Sequence, residues 1–483
     1  MSTLPQLNRQ TAQIPLEHPD RIVQFGAGNF LRAFADWAID VMNTEADFDS
    51  GVVVVKVTPG QYEELDEQDG LYYVRLEGIE NGEFVESNRL ITCINRTLYP
   101  YDDFAAYLAL ARQPEVRFLI SNTTEAGISF VESDKATDEP PSSFPAKLTL
   151  FLHARYQQFE GAADKGCIII PTELVEDNGT QLRDMVLRYA SIWGLETDFG
   201  AWITANNIFT NTLVDRIVPG YPTATADEIQ RQLGFEDKLL VMGEPYHSWI
   251  IEGPQSLHDE LPIAQTRTKL NIKIVDDANP YRETKVRILN GLHTSMVPIG
   301  ILLGLTFVRE ALDHPALGPM LIDEAHKEII PSMDLDQDEL TQFAADVFDR
   351  FRNPSVHHRL LTIATNSSAK ERPRILSTLL AYQQKFGELP PRIVLAFAAF
   401  IRLYKGEWQG EAIALNDDAS ILAWFKEQWQ SGSVADVVTA VLKNESLWQQ
   451  DLTAIPGLHA MLTDYLTRMD DSGLQPIIEQ INN

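Results

Sequence analysis

The chain has 483 residues, 44% of them hydrophobic, enough to bury the cores of two or three domains and too apolar for a disordered polymer. Its 39 Lys and Arg against 69 Asp and Glu leave a formal charge of −30, so nucleic acid and anionic membrane surfaces are poor partners. An anionic substrate would need a local cationic pocket. Two cysteines, Cys93 and Cys167, are too few for a disulfide framework or a thiolate metal site, and read as buried free thiols. The first twenty residues lack the apolar stretch of a secretory signal. The longest apolar run, Ile393–Ile401, is nine residues and too short to span a bilayer, so a cytoplasmic protein is expected.

From Arg21 to Asp277 short β-rich runs alternate with helical segments. The runs are 21–25 (RIVQF), 51–57 (GVVVVKV), 116–121 (VRFLIS), 166–171 (GCIIIP) and 238–242 (KLLVM). They show little apolar/polar alternation, as expected of parallel strands buried on both faces. The segments 29–42, 101–112, 146–159, 181–193 and 224–233 read as helices between them. This pattern predicts a doubly wound α/β domain over residues 1–275. Beyond 277 no β-rich run is expected. Long periodic segments at 284–304, 317–330, 340–351 and 392–404 predict a mostly α-helical domain over 276–483.

The first run leads into a glycine turn and an amphipathic segment, so Phe25, Gly26, Ala27, Gly28, Asn29, Phe30 and Arg32 are candidate cofactor contacts. Gly26 permits a sharp turn, and Gly28 lets the backbone approach a pyrophosphate at a helix start. Position 31 is Leu, so the third glycine of the usual fingerprint is missing, and an ordinary βα turn has the same look. The second run, 51–57, contains no acid to hold a ribose. Lys56 stands there instead, suited either to a 2′-phosphate or to an exposed strand end. Glu125, after the third run, lies where strand ends face a cofactor, and suits a turn equally well.

In Tyr281–Thr294, Lys285, Asn290 and His293 fall at about 0°, 140° and 80° around an ideal helix, within one arc. Reduction of a ketone needs a proton donor and a neutral hydrogen-bond donor at the carbonyl oxygen, roles a lysine and an asparagine can fill. A solvated basic face with a hydrogen-bonded core Asn and His has the same spacing. The adjacent His357 and His358 point about 100° apart on a helix, which makes a poor metal site, and no metal is expected.

With these residues in place, the sequence resembles the polyol-specific long-chain dehydrogenase/reductases, a family that includes mannitol 2-dehydrogenase and hexuronate reductases. The matching segments are GAGNFLRAF at 26–34, QDGLYYV at 68–74, EAG within 121–127, NTLVDRIVP at 211–219 and NPYRETKVRILNGLH at 279–293. The resemblance implies a Rossmann-type N-terminal domain binding NAD, a helical C-terminal domain and a small sugar acid as substrate. It implies Lys285 as acid/base, Asn290 and Asn211 on the carbonyl oxygen, His293 orienting the substrate, and no metal. The implied reaction is the NAD-dependent interconversion of D-tagaturonate and D-altronate. Reduction of fructuronate, oxidation of a mannitol-type polyol, and a catalytically silent dinucleotide sensor are the alternatives. Arg282 stands where mannitol dehydrogenases carry a glutamate, and suits a substrate carboxylate or a helix-start surface charge. Ser368-Ala-Lys370 matches a family Ser-x-Lys segment. With Arg359 and Arg374 it forms either a cationic substrate pocket or an exposed basic helix end.

Overall fold

The computed structural model describes residues 4–16, 18–124 and 126–483. The chain divides into two compact units, Met1–Glu77 with Val85–Asn279, and Gly78–Phe84 with Pro280–Asn483.

In the first unit the strands are β1 (Asp20–Phe25), β2 (Gly51–Val55), β3 (Tyr72–Glu80), β4 (Glu83–Ile91), β5 (Ile94–Leu98) and β6 (Phe118–Ser121). They continue as β7 (Ile168–Pro171), β8 (Ile208–Phe209), β9 (Asn211–Asp215), β10 (Val241–Gly243), β11 (Ser248–Glu252) and β12 (Ile272–Val275). Six of them form a parallel sheet in the order β5-β2-β1-β6-β7-β8. Counted along the chain that is 3-2-1-4-5-6, the doubly wound dinucleotide-binding order. Strand side chains alternate between two cores, which is why the sequence runs look uniformly apolar. Ile22, Val52, Val54, Ile120 and Ile170 face one core; Val23, Phe25, Val53, Val55, Leu119 and Ile169 face the other. The second core is closed by helices at Phe104–Ala111, Phe144–Gln158, Asn178–Ile192 and Thr197–Asn206. The first is closed by residues 31–42 and the small sheet β12-β11-β9.

Two expectations need correction here. The run 238–242 does not join the main sheet: only Val241–Gly243 is a strand, and it pairs in parallel with β3. The helix expected over 29–42 is two helices, Asn29–Ala33 and Ala35–Ala46, broken at Phe34 (φ −126°, ψ −74°). At the break Arg216 Nη1 donates to the Ala33 carbonyl at 2.6 Å.

The second unit is helical, built around Pro391–Leu403, which is buried along its length. Gly291–Leu302 and Leu458–Ser472 pack against it. Three helices widen into i→i+5 turns, at Lys285–Asn290, Ala325–Ile329 and Arg372–Leu376. The expectation of no strand beyond 277 is corrected by a two-residue antiparallel ladder, Glu407–Trp408 with Glu411–Ala412. Among the described residues no helix is long and apolar enough to cross a membrane.

Candidate active site

The glycine turn lies at the carboxyl end of β1. Gly26 adopts φ +112°, the left-handed region that favours glycine, and its N–H donates to the Val55 carbonyl at 3.0 Å. A Cβ there would stand 3.0 Å from the Asn122 carbonyl oxygen, whereas one at Gly28 would meet nothing within 4 Å. The open side of Gly28, at the N-cap of Asn29–Ala33, fits the backbone approach of a dinucleotide pyrophosphate. The other candidates around the turn differ in what they offer. Phe25 is fully buried against Phe144 at 4.9 Å, so its side chain is core. Arg32 is buried too, donating to the Leu239 carbonyl at 2.5 Å and to Asn29 Oδ1 at 2.6 Å. It braces the turn through Asn29. Ala27 and Phe30 are half-buried and Asn29 is exposed. Glu125 lies outside the described residues.

In the same unit Asn211 opens β9. Its Oδ1 accepts from the Thr180 N–H at 2.9 Å and its Nδ2 donates to Glu252 Oε1 at 2.9 Å, so the amide is held from both ends. The second Glu252 oxygen accepts from the Ala278 N–H at 2.8 Å. Arg216, four residues after Thr212, is buried and bonds the carbonyls of Ala33, Glu244, Tyr246 and Pro245. Burial pulls its guanidinium down to about 9.

In the second unit Lys285, Asn290 and His293 lie on one continuous helical segment, and all three are half-buried. The segment is not the ideal helix that the sequence reading assumed. The turn Lys285–Asn290 is closed i→i+5, which brings Lys285 and Asn290 closer around the axis than an ideal α-helix would. Such widened turns recur at functional sites because they re-aim side chains. Arg287 anchors the opposite side: it bonds Glu283 Oε1 at 2.9 Å, Thr378 Oγ1 at 3.3 Å and Ser332 Oγ at 2.5 Å. The His293 ring packs on Phe351 (centroids 4.3 Å) and edge-on to His358 (5.2 Å).

The cationic residues separate into two groups. Arg374, on the widened turn that packs against Lys285–Asn290, donates to Thr294 Oγ1 at 3.2 Å, and Thr294 in turn donates to the Asn290 carbonyl at 2.9 Å. Lys370 donates to the carbonyls of Ile363 at 2.8 Å and Thr365 at 2.6 Å, which leaves one of its three N–H donors for a ligand. Burial, then the nearby Arg374 charge, lowers the Lys370 ammonium; burial lowers Arg374 as well, against the opposing pull of Glu371. Lys370 and Arg374 therefore form a half-buried cationic pair beside the helix. Arg359 is exposed, with its guanidinium over Phe307 at 5.4 Å, and Arg282 is half-buried at the helix start. Ser368 is an anchor, bonded through N–H and Oγ to Asp417. Among the described residues no three His, Cys, Asp or Glu side chains come together as a ligand set.

The profile of the mannitol dehydrogenase Rossmann domain matches residues 20–265, and that of the mannitol dehydrogenase C-terminal domain matches 277–470. The chain belongs to the mannitol dehydrogenase family. Among curated relatives of this family member, the altronate oxidoreductase of Pectobacterium carotovorum subsp. carotovorum (strain PC1) is 45% identical over 475 residues, 96% of this chain and 97% of that one. The altronate oxidoreductase of Bacillus subtilis (strain 168) is 43% identical over 480 residues, 99% of this chain and 98% of that one. A solved D-sorbitol dehydrogenase in substrate-free form shares the fold with a TM-score of 0.78 at 20% identity, covering 98% of this chain and 100% of that one. The mannitol 2-dehydrogenase of Pseudomonas fluorescens, solved with NAD and D-mannitol, gives 0.63 at 21% identity, covering 99% of both chains.

Within this mannitol dehydrogenase family member, the sequence reading missed Glu252 and Arg287. Glu252 becomes visible only through the antiparallel register that sets it opposite Asn211. Arg287 lies in the same basic stretch and is almost fully buried.

Proposed function

We propose that the chain is an NAD-dependent oxidoreductase that interconverts D-altronate and D-tagaturonate, with residues 1–275 binding the dinucleotide and 276–483 carrying the acid/base helix. The observation that carries the substrate assignment is full-length identity of 43–46% to altronate oxidoreductases. The half-buried Lys370–Arg374 pair supports it, because a cationic pair suits the carboxylate that a sugar acid has and a polyol lacks. The dinucleotide, when bound, supplies a hydride to the ketone or accepts one from the alcohol. In the reducing direction Lys285 Nζ gives a proton to the developing alkoxide oxygen, and the Asn290 amide donates a hydrogen bond to that oxygen. Asn211 is assigned the same oxygen-holding role, and His293 the orientation of the sugar. Lys370 and Arg374 take the carboxylate, with Arg282 and Arg359 as outer cations. The backbone of Gly26–Phe30 holds the pyrophosphate.

Initial rates of NADH oxidation with tagaturonate, fructuronate and fructose side by side test this reading. Tagaturonate is expected to give the highest kcat/KM. A higher value with fructuronate would move the chain to the mannonate-forming reaction, and one with fructose to the polyols. No turnover with any of the three, with NADH still bound, would point to a dinucleotide sensor.

A further inference from the structure

The segment that follows β2 folds back over the glycine turn. Because Gly26 bonds the Val55 carbonyl, Lys56 is placed directly beside the turn, where an acid or a cation reads the adenosine ribose in doubly wound domains. Its ammonium does not reach outward. Lys56 Nζ sits 4.2 Å from the centre of the Tyr62 ring, a cation–π distance. Gly60, at φ +99°, brings its backbone over the lysine stem, so that a Cβ there would be 3.5 Å from Lys56 Cε. Tyr62 is itself fixed. Its N–H donates to the Tyr99 hydroxyl at 3.0 Å, and Tyr99 donates to Asp66 at 2.5 Å. Beyond Tyr62 the helix Glu63–Glu67 opens with exposed Glu63 and Glu64. Arg32, the turn's own cation, is buried on Leu239 and Asn29.

We propose that Tyr62 sets cofactor choice: by holding Lys56 on its ring face it withdraws a cation placed to pair with a 2′-phosphate and leaves a rim that repels one. The inference rests on the reading of the first unit as an NAD-binding domain. It gives Lys56, which by itself points to NADP(H), a role compatible with NAD(H).

The test is direct binding of NADH and NADPH to the full-length protein without sugar, by nucleotide fluorescence or calorimetry. Wild type, Lys56→Ala, Tyr62→Phe, Tyr62→Ala and the double variant are compared. Tyr62→Ala frees a cation for a charge-assisted bond, and the NADPH/NADH affinity ratio should rise about tenfold or more. The double variant should lose that gain. Tyr62→Phe keeps the ring and should keep the wild-type ratio. Lys56→Ala alone should also leave the ratio unchanged, and this arm does not depend on whether Tyr62→Ala folds. A tenfold loss of NADPH affinity in Lys56→Ala would overturn the proposal, as would an unchanged ratio in Tyr62→Ala or an undiminished gain in the double variant. Wild type that binds NADPH as tightly as NADH would defeat the NAD reading itself, a separate result.

Discussion

Glu252→Gln isolates the orientation of a proposed oxyanion donor from the donor itself. Glu252 receives two N–H groups, Asn211 Nδ2 at 2.9 Å and the Ala278 amide at 2.8 Å. A glutamine has one acceptor oxygen, so one of those donors must face an NH2 group instead. An unmet donor costs about 1–3 kcal/mol when buried, and half-burial of Glu252 places the cost near the low end, about 1–1.5 kcal/mol. If that cost falls on the placement of Asn211 in the transition state, kcat/KM drops about tenfold, since each 1.36 kcal/mol is a factor of ten. Asn211→Ala, which removes the donor outright, sets the ceiling at about 10²–10³-fold. The assay is initial-rate NADH oxidation with tagaturonate, together with thermal melting. The same energy taken as folding stability shifts Tm by only about 2–4 °C in a unit of this size. Glu252→Gln at wild-type kcat/KM beside a crippled Asn211→Ala would show that Glu252 does not orient the amide. Asn211→Ala within threefold of wild type would remove Asn211 from the site altogether.

Gly28→Ala meets no atom within 4 Å, so Tm should hold, while NADH affinity falls because the methyl occupies the side left open for the pyrophosphate; unchanged affinity by fluorescence titration would place the cofactor elsewhere. Arg374→Ala should raise KM for tagaturonate by about tenfold or more through a lost charge-assisted bond, with a much smaller effect on an uncharged ketose. Equal losses on both substrates would mean that Arg374 only braces Thr294. Burial raises the Glu324 carboxyl, held by Ser295 Oγ at 2.5 Å, from 4.5 to about 8. The folded state therefore keeps a proton that the unfolded state releases. This contribution is fully present below pH 4.5 and fades as pH climbs to about 8, by up to about 1.4 kcal/mol per pH unit. Glu324→Gln should flatten the fall of stability between pH 5 and 8 by one proton's worth. Parallel denaturation midpoints for the two proteins across that range would refute it.

The fold class was legible because β1, β2, β6 and β7 are apolar on both faces and the glycine turn marks the first of them. The hairpin β3–β4 escaped notice although Asn81-Gly82, at φ 53° and 78°, is a turn signature; β4 is largely exposed and carries no apolar run to flag it. Beyond Lys285, Asn290 and His293, the candidate site was less legible. A period of 100° per residue set Lys285 and Asn290 about 140° apart within one arc, and nothing in KVRILN announces the i→i+5 turn that brings them closer around the helix. The partners of Asn211 come from β11 and from the start of the helix after β7, more than thirty residues away in either direction. Such pairings follow from sheet register, which periodicity does not encode.

The most direct measurement of the central claim takes kcat, NADH affinity and Tm on one sample of Lys285→Ala. Lys285 is half-buried on the widened turn, away from the glycine turn in sequence and unit, so folding and NADH binding should survive its truncation. Loss of the general acid should lower kcat for tagaturonate by about 10²–10⁴-fold or more. A folded, NADH-binding Lys285→Ala protein that turns over tagaturonate within tenfold of wild type would contradict the account.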